Sequence, residues 1–546
     1  QTAGGTFAGD INVSNGTIKL DGDYPVGSAN VALGGGTLNA SLTGQQNTAV
    51  GSASLSALTS GNDNTAVGRV TLTNNTTGGQ NTAVGRYALS ANTTGSSNTG
   101  LGVQALNAAT TASNNTAVGY QAGYANTTGA YHTLVGYRAG FSTTGSFITA
   151  YGYATLISNT TGDHNVAFGG ATTGNATMSS NTTGSYNTAM GDGALGSNTT
   201  ASSNTAVGYQ SLYANTTGAR STAVGESALK SNTTGAENVA IGKNALFNNT
   251  TANSNTTVGV ESLQANTTGS QNTALGLGAL KANTTAHNNV AVGMYALITS
   301  TTAEGNTAVG YKAGYATTTG GGNNFFGISA GETVTSGTNN TLLGNFVASY
   351  DGADLTTGSQ NIVIGNYCKV SSSAASNQLV LGYYTTCVGD NNFTFGNVSN
   401  DSNIAFGSTS ITAPSDQRYK EEITDSTAGL AFIKDLRPVT FKWRKQKDVP
   451  SDHPAYVEGS EVRVMNDYTN HGFIAQEVKT AIDAHSEIKD GFDMWSEQGS
   501  GGRQRLGPSA LIPMLVKAVQ ELSAKNDALS AKNDALTARI TALEAN

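Results

Sequence analysis

Ser415 and Lys420 stand five residues apart in the stretch Ser415-Asp416-Gln417-Arg418-Tyr419-Lys420, and together they supply the minimum parts of a nucleophile and its base. A serine hydroxyl is a weak nucleophile. A lysine amine takes its proton only when neutral, so burial or nearby positive charge must lower the amine's pKa. Arg418 lies between the two and is placed to depress Lys420 or to hold the turn. By spacing alone such a pair is an ordinary surface feature, so its chemistry has to be judged with its surroundings.

Other chemistries find less support. Glycan hydrolysis needs paired carboxylates in a groove, and residues 1–415 hold only 15 Asp and Glu with no recurrent pair. Cys368 and Cys387 lack metal-site spacing and are too few for a disulfide framework. They are expected as buried or free thiols, or as a single clip, and no metal or cofactor is expected. A net charge of −8 gives no basic footprint, which argues against nucleic acid as a partner. No apolar run approaches the roughly 18 residues of a membrane span. The many Asn-x-Thr triplets match a glycosylation acceptor but read more simply as turn residues bonding nearby backbone. Tyr87, Tyr120, Tyr137, Tyr151, Tyr153, Tyr209, Tyr295 and Tyr311 sit near a recurring glycine. They read as packing at a coil surface or subunit seam, with sugar stacking as the alternative.

The hexad is also where the composition changes. Residues 1–415 carry 25 charged residues (10 Lys and Arg, 15 Asp and Glu), whereas the 131 that follow carry 37. Hydrophobic residues make up 37% of the chain and are mostly small Ala and Val. Such a chain cannot fill a thick core, but it can build a thin, repetitive β structure. Residues 1–46 read as a β cap or attachment segment, with hairpin signals at Asn15-Gly16 and Asp21-Gly22.

Residues 47–382 hold twenty copies of a unit beginning Asn-Thr-Ala-Val-Gly, and sixteen of the nineteen steps between copies are 17 residues long. The other steps are 16, 21 and 22 residues, which puts insertions between the copies at 148 and 187 and between those at 340 and 361. Gly85-Arg-Tyr-Ala-Leu-Ser-Ala-Asn-Thr-Thr-Gly95 shows the remainder of the unit. Thr-Ala-Val is expected as a short strand with Val and Asn on one face. The glycine after it suits a corner at positive φ. A unit this short cannot bury its own apolar face, so it must stack on its neighbours as a parallel solenoid. About twenty coils at ~4.8 Å give a rod of order 100 Å. So few large apolar residues per coil imply several chains side by side. This repeat resembles the β-roll heads of trimeric autotransporter adhesins and the related shafts of phage tail fibres.

Residues 383–415 end the array. Phe393, Phe395 and Phe406 replace small residues there, either to close the core or to meet a receptor. In residues 416–546, Ser426 is placed to cap a helix carrying Leu430, Ile433 and Leu436, and Val439–Trp443 alternates as a strand. From about 507 to 546 the chain reads as a coiled coil. Ile512, Val519, Asn526, Asn533 and Ile540 fall at a, and Leu515, Leu522, Leu529, Leu536 and Leu543 at d.

Four ordered motifs in this part are Ser-Asp-x-Arg-x-Lys-x-x-Ile, Leu-Arg-Pro-Val-x-Phe-x-Trp, Gly-Phe-Ile-Ala-Gln-Glu-Val and Leu-Val-Lys-Ala-Val-Gln-Glu-Leu. They resemble the intramolecular chaperone of endosialidase, the auto-cleaving C-terminal domain of phage tail fibres and tailspikes. The resemblance implies a homotrimer whose chaperone sets register among three chains. It then implies release by cleavage of the Ser415–Asp416 bond, with Ser415 as nucleophile, Lys420 as base and His471 as a candidate assistant.

The expected architecture is therefore mainly β: a trimeric parallel β-solenoid shaft of 17-residue repeats, then a small α+β chaperone domain ending in a coiled-coil helix. The expected function is a host-adhesion fibre of a phage tail, located in the virion and extracellular. It would meet a cell-surface glycan or protein and attach to other tail proteins through its N-terminal side. Self-cleavage would be its only turnover, with no membrane insertion. A bacterial surface adhesin is the main alternative, and a glycan-degrading tailspike a weaker one.

Overall fold

The computed structural model describes residues 29–38, 42–170, 176–349, 354–398, 400–408, 417, 420–451, 455–488, 494–498 and 503–545. The hairpin signals at Asn15-Gly16 and Asp21-Gly22 lie outside them. The chain divides into two compact units, Gln1–Pro414 and Ser415–Asn546.

The first unit is a parallel β-solenoid. Each coil contributes one strand of three residues, and successive strands pair like on like: Thr48 with Thr65, Ala49 with Ala66, Val50 with Val67. Stacking begins one coil before the first Asn-Thr-Ala-Val-Gly copy, because Val31–Leu33 pairs in parallel with Thr48–Val50. The longer steps leave the ladder intact: Val166 pairs with Thr188 and Thr341 with Ile362. At the far end Leu379–Tyr383 pairs with Asn392–Asn397, and Asn400–Ala405 folds back antiparallel to close the sheet.

The faces differ from the sequence reading. Asn and Ala point inward together, while Thr and Val point outward. Asn64 and Ala66 are fully buried, whereas Val84 is 36% exposed. The reason is the width of the interior. In most coils one leucine, such as Leu72 or Leu89, fills it from the opposite side and an alanine faces it, whereas Leu134 and Phe325 take the alanine place where Gly123 and Gly140, or Gly314 and Gly331, stand in for the leucine. Corners are equally tight. Gly68 has φ +137°, and a Cβ there would lie 2.8 Å from the Gly85 carbonyl carbon. The end of the array departs from expectation in the same way. Thr394 takes the inward place, and Phe393 and Phe395 lie outside it with ring centroids 4.9 Å apart, so they do not fill the core. Cys368 and Cys387 are buried free thiols, not a clip.

The buried asparagines form ladders. The Asn64 side-chain amide donates from Nδ2 to Asn47 Oδ1 at 3.0 Å and to the Gly78 carbonyl at 3.0 Å, and the Asn81 backbone N–H donates to Asn64 Oδ1 at 3.0 Å. A second ladder uses the Asn of Asn-Thr-Thr-Gly. Asn92 Nδ2 donates to Asn75 Oδ1 and to the Gly95 carbonyl, both at 2.9 Å. These residues do bond nearby backbone, as expected of turns, but they also join coil to coil, and their burial removes them as glycan acceptors.

The first ladder breaks at His132 and Ile148, either side of the 16-residue step. His132 Nδ1 accepts from the Ile148 backbone N–H at 3.3 Å, and its Nε2 is buried without a partner. At this break a ladder of rings forms outside. Tyr131, Phe147, His164 and Tyr186 stack at centroid spacings of 5.0, 4.6 and 4.9 Å. Each immediately precedes an inner-ladder position and adopts a positive φ, between 55° and 61°. Bulky side chains seldom adopt that conformation, and mutual stacking offsets its cost.

Two outcomes follow from the ladders. Asn272→Ala leaves the Asn289 backbone N–H without its acceptor and takes one of two donors from the Asn255 Oδ1 and from the Ala286 carbonyl, which keep the residue 272 backbone N–H and Asn283 Nδ2. It is expected to lower stability by about 2 kcal/mol, since one orphaned buried group costs about 1–3 kcal/mol, and chemical denaturation would measure this. Burial holds the His132 pKa down at about 4, from an ordinary 6.5. The unfolded chain therefore takes up a proton below pH 6.5 that the folded coil refuses. Stability should be full above pH 6.5 and fall by about 1.4 kcal/mol per pH unit towards pH 4. Hydrogen exchange of residues 115–165 against pH should show this loss, and His132→Asn should flatten it.

Candidate functional site

The second unit is built around three helices, α1 (Leu430–Asp435), α2 (Ala475–Ala484) and α3 (Leu511–Glu544). Two small antiparallel pairs accompany them, Val439–Phe441 with Asn470–Gly472 and Trp495–Gln498 with Arg503–Leu506. Helix α2 turns Val478, Ala481 and Ile482 to one side, the spacing of a single helical face. They pack with Phe432 and Leu436 of the α1 region, with Met494, and with Leu511 of α3.

Helix α1 is too short to stand alone, and its N-terminal N–H groups need an acceptor. The cap is not Ser426, as the sequence suggests, but a side chain 91 residues away. The Leu430 backbone N–H donates to Glu521 Oε2 on α3 at 3.0 Å. Gly429 makes this approach possible, since a Cβ there would lie 2.6 Å from Glu521 Oε1. At the other end of α1, His485 Nε2 lies 2.8 Å from Asp435 Oδ2, and its Nδ1 lies 3.0 Å from Glu487 Oε1. The Asp435 hydrogen bond, joined by Glu487, raises the His485 pKa against a smaller effect of burial. Arg437 forks onto both oxygens of Glu477, tying the chain after α1 to the first turn of α2. The sequence reading missed Glu521 and His485. Their signal is tertiary: neither has its partner at helical or turn spacing, except Glu487 two residues from His485.

The residues expected to cut are placed as follows. Ser415 and Asp416, with Arg418, lie outside the described residues. Ser415 is the first residue of the second unit, so the proposed scissile bond lies next to the division between the two units. Lys420 is exposed, and its backbone N–H donates to the Gln417 carbonyl at 3.0 Å. His471 is exposed on its strand opposite Thr440. Among the described residues no group of three or more His, Cys, Asp or Glu side chains is arranged to hold a metal ion.

Helix α3 is buried in its first turns through Leu511 and Ala518. Beyond them its heptad leucines are bare: Leu522, Leu529 and Leu536 are each exposed by more than half, and Leu543 by 74%. A stripe of leucines at sevens, exposed among the described residues, has the spacing of a coiled-coil seam. No described helix is long and apolar enough to cross a membrane.

Three of the exposed tyrosines of the first unit are poor platforms for sugar. Tyr120, Tyr137 and Tyr153 stack at 5.3 and 5.0 Å with planes 15° and 7° apart. Their faces cover one another, and only ring edges look outward except at the ends of the stack.

Residues 415–486 match the family model described as the chaperone of endosialidase. The match takes in Ser415, Asp416, Lys420 and His471 and stops before α3. A comparison with curated proteins gives no match. The chain thus joins a segment similar to that family to a parallel β-solenoid.

If Glu521 caps α1 from α3, Glu521→Ala should destabilise the second unit by about 1 kcal/mol, while Glu521→Gln should retain part of the cap. Equal melting of the wild type and Glu521→Ala would show that the contact does not stabilise the unit.

Proposed function

We propose that this chain is a homotrimeric receptor-binding fibre of the phage-tail kind, released from its own chaperone by one self-inflicted cut. The observation that carries the reading is the junction: a chaperone-of-endosialidase match begins at Ser415, where the solenoid unit ends. A shaft of near-identical coils needs such a device. Slipping one chain by one coil replaces most contacts with almost equal ones, so the shaft alone sets register weakly. Heptads at the C-terminus bring copies together first, and the coils then stack from an aligned start.

In this reading the Ser415 hydroxyl attacks the carbonyl of a Ser415–Asp416 bond, Lys420 takes its proton and passes it to the departing Asp416 amine, and water hydrolyses the ester that is left, with His471 assisting. The exposed Lys420 of a single chain would need the assembled trimer to dehydrate it before its amine became a base. Removing the clamp leaves the shaft unable to refold by the route it took, which is stability of a kinetic kind. The product would be an extracellular virion component. It would attach to other tail proteins through its N-terminal side and meet a glycan or protein on the host surface.

Intact mass and denaturing gels of freshly expressed wild type, Ser415→Ala and Lys420→Ala test this. Two wild-type fragments split at 415/416, with one full-length chain in each variant, is the expected result. An uncut wild type would remove the self-cleavage claim and leave the second unit as a permanent clamp.

A further inference from the structure

The outward side of each three-residue strand carries two side chains, one from the Thr position and one from the Val position. Across the twenty copies the Val position is never polar: it is Val, Leu, Ile, Met, Phe or Tyr in every coil. The Thr position is Thr in fourteen and Val, Ile, Leu or Asn in the rest, so neither column holds a charge. Charged residues of the array lie elsewhere on the coil, as in the pairs Arg220–Glu237 and Lys281–Glu261. Yet this uncharged column is open in the single chain. Ile241 is 38% exposed, Met190 43% and Leu343 46%.

A lone exposed valine needs no explanation. An unbroken row of them does, because solvent-facing strands normally alternate with polar residues. About twenty rows at ~4.8 Å, each ~10 Å wide, make a strip of about 1,000 Å². Stable interfaces bury about 800 Å² on each partner. Whatever covers the strip must present apolar groups at the same spacing over the same length. A second copy of this chain does so, and the bare heptads of α3 draw copies together.

We infer that the Thr–Val strip of every coil is the seam between copies of this chain, a placement that rests on the trimeric reading above. The strip also carries its own register marks. Tyr151, Phe168 and Met190 interrupt a run of smaller residues, and Phe326 and Leu343 begin a second bulky block. At these few coils a one-coil slip sets large groups against spaces fitted to valine, a local overpacking cost that supplements the weak register of the many like coils.

Hydroxyl-radical labelling of the full-length protein, with its mass followed by sedimentation, tests the placement without altering a residue. Tyr151 and Tyr209 are both 53% exposed in one chain, but Tyr209 lies beyond the corner glycine, off the strip. In the assembled protein Tyr151, Phe168, Met190 and Phe326 should label at least about fivefold more slowly than Tyr209 and Tyr311, after correction for intrinsic reactivity. An oligomer in which both sets label alike would overturn the seam and leave the trimeric fibre standing. A protein that sediments as a monomer would overturn both.

Discussion

A carboxamide buried in a narrow apolar tube must find every one of its hydrogen bonds nearby, and the first unit depends on that requirement. In the first ladder asparagine meets it with an amide of the neighbouring coil, a carbonyl of the turn that follows and a backbone N–H, all at once. Each bond needs the next coil at strand spacing. The ladder therefore fixes the rise, makes neighbours interdependent and penalises any coil that shifts. Alanine and leucine fill what remains, with too little apolar volume to define register by themselves. The polar groups are the specific part of this core and the apolar groups its filler.

Where that rule is relaxed, something else takes over. At His132 and Ile148 the inner ladder lapses, and the stack from Tyr131 to Tyr186 runs beside the gap. Tyr131 and Phe147 occupy the places just before the lapsed amides, and His164 and Tyr186 carry the stack on beside Asn165 and Asn187, all four in a conformation they would not choose alone. An interior chain of directional bonds is exchanged for an exterior column of ring contacts over the same coils.

Much of this was legible in the sequence, for a physical reason. A repeat repeats its environment, so the glycine that must turn the corner and the strand that must pair were visible as recurring letters. The faces of Thr-Ala-Val were not. Val looks like the core residue, and only the width of the tube, set by Leu72 and its equivalents, shows why Ala takes that place in most coils. The second unit was readable as motifs but not as contacts. The α1 cap comes from Glu521, 91 residues away, and nothing in the local sequence around Ser426 rules the nearer serine out. Of the candidate site, the sequence supplied identities and spacing. It could not supply the surroundings of Lys420, because hydration of that amine depends on what packs against it.

The asparagine ladders also have a direction. In both, the amide of the later coil donates to the amide oxygen of the earlier one, at Asn64 to Asn47 and at Asn92 to Asn75 alike. The side-chain dipoles therefore point one way, whereas backbone bonds run both ways between coils: the Thr65 N–H donates forward to Asn81 and the Gly68 N–H back to Val50. Summed along the array, the amides leave a positive bias at the N-terminal end and a negative one at the other, in the manner of a helix. Gln378 closes the run by turning its amide onto Ser371 and Asp390. The shaft is in this sense an electret: its two ends are electrically unlike although its coils are nearly the same.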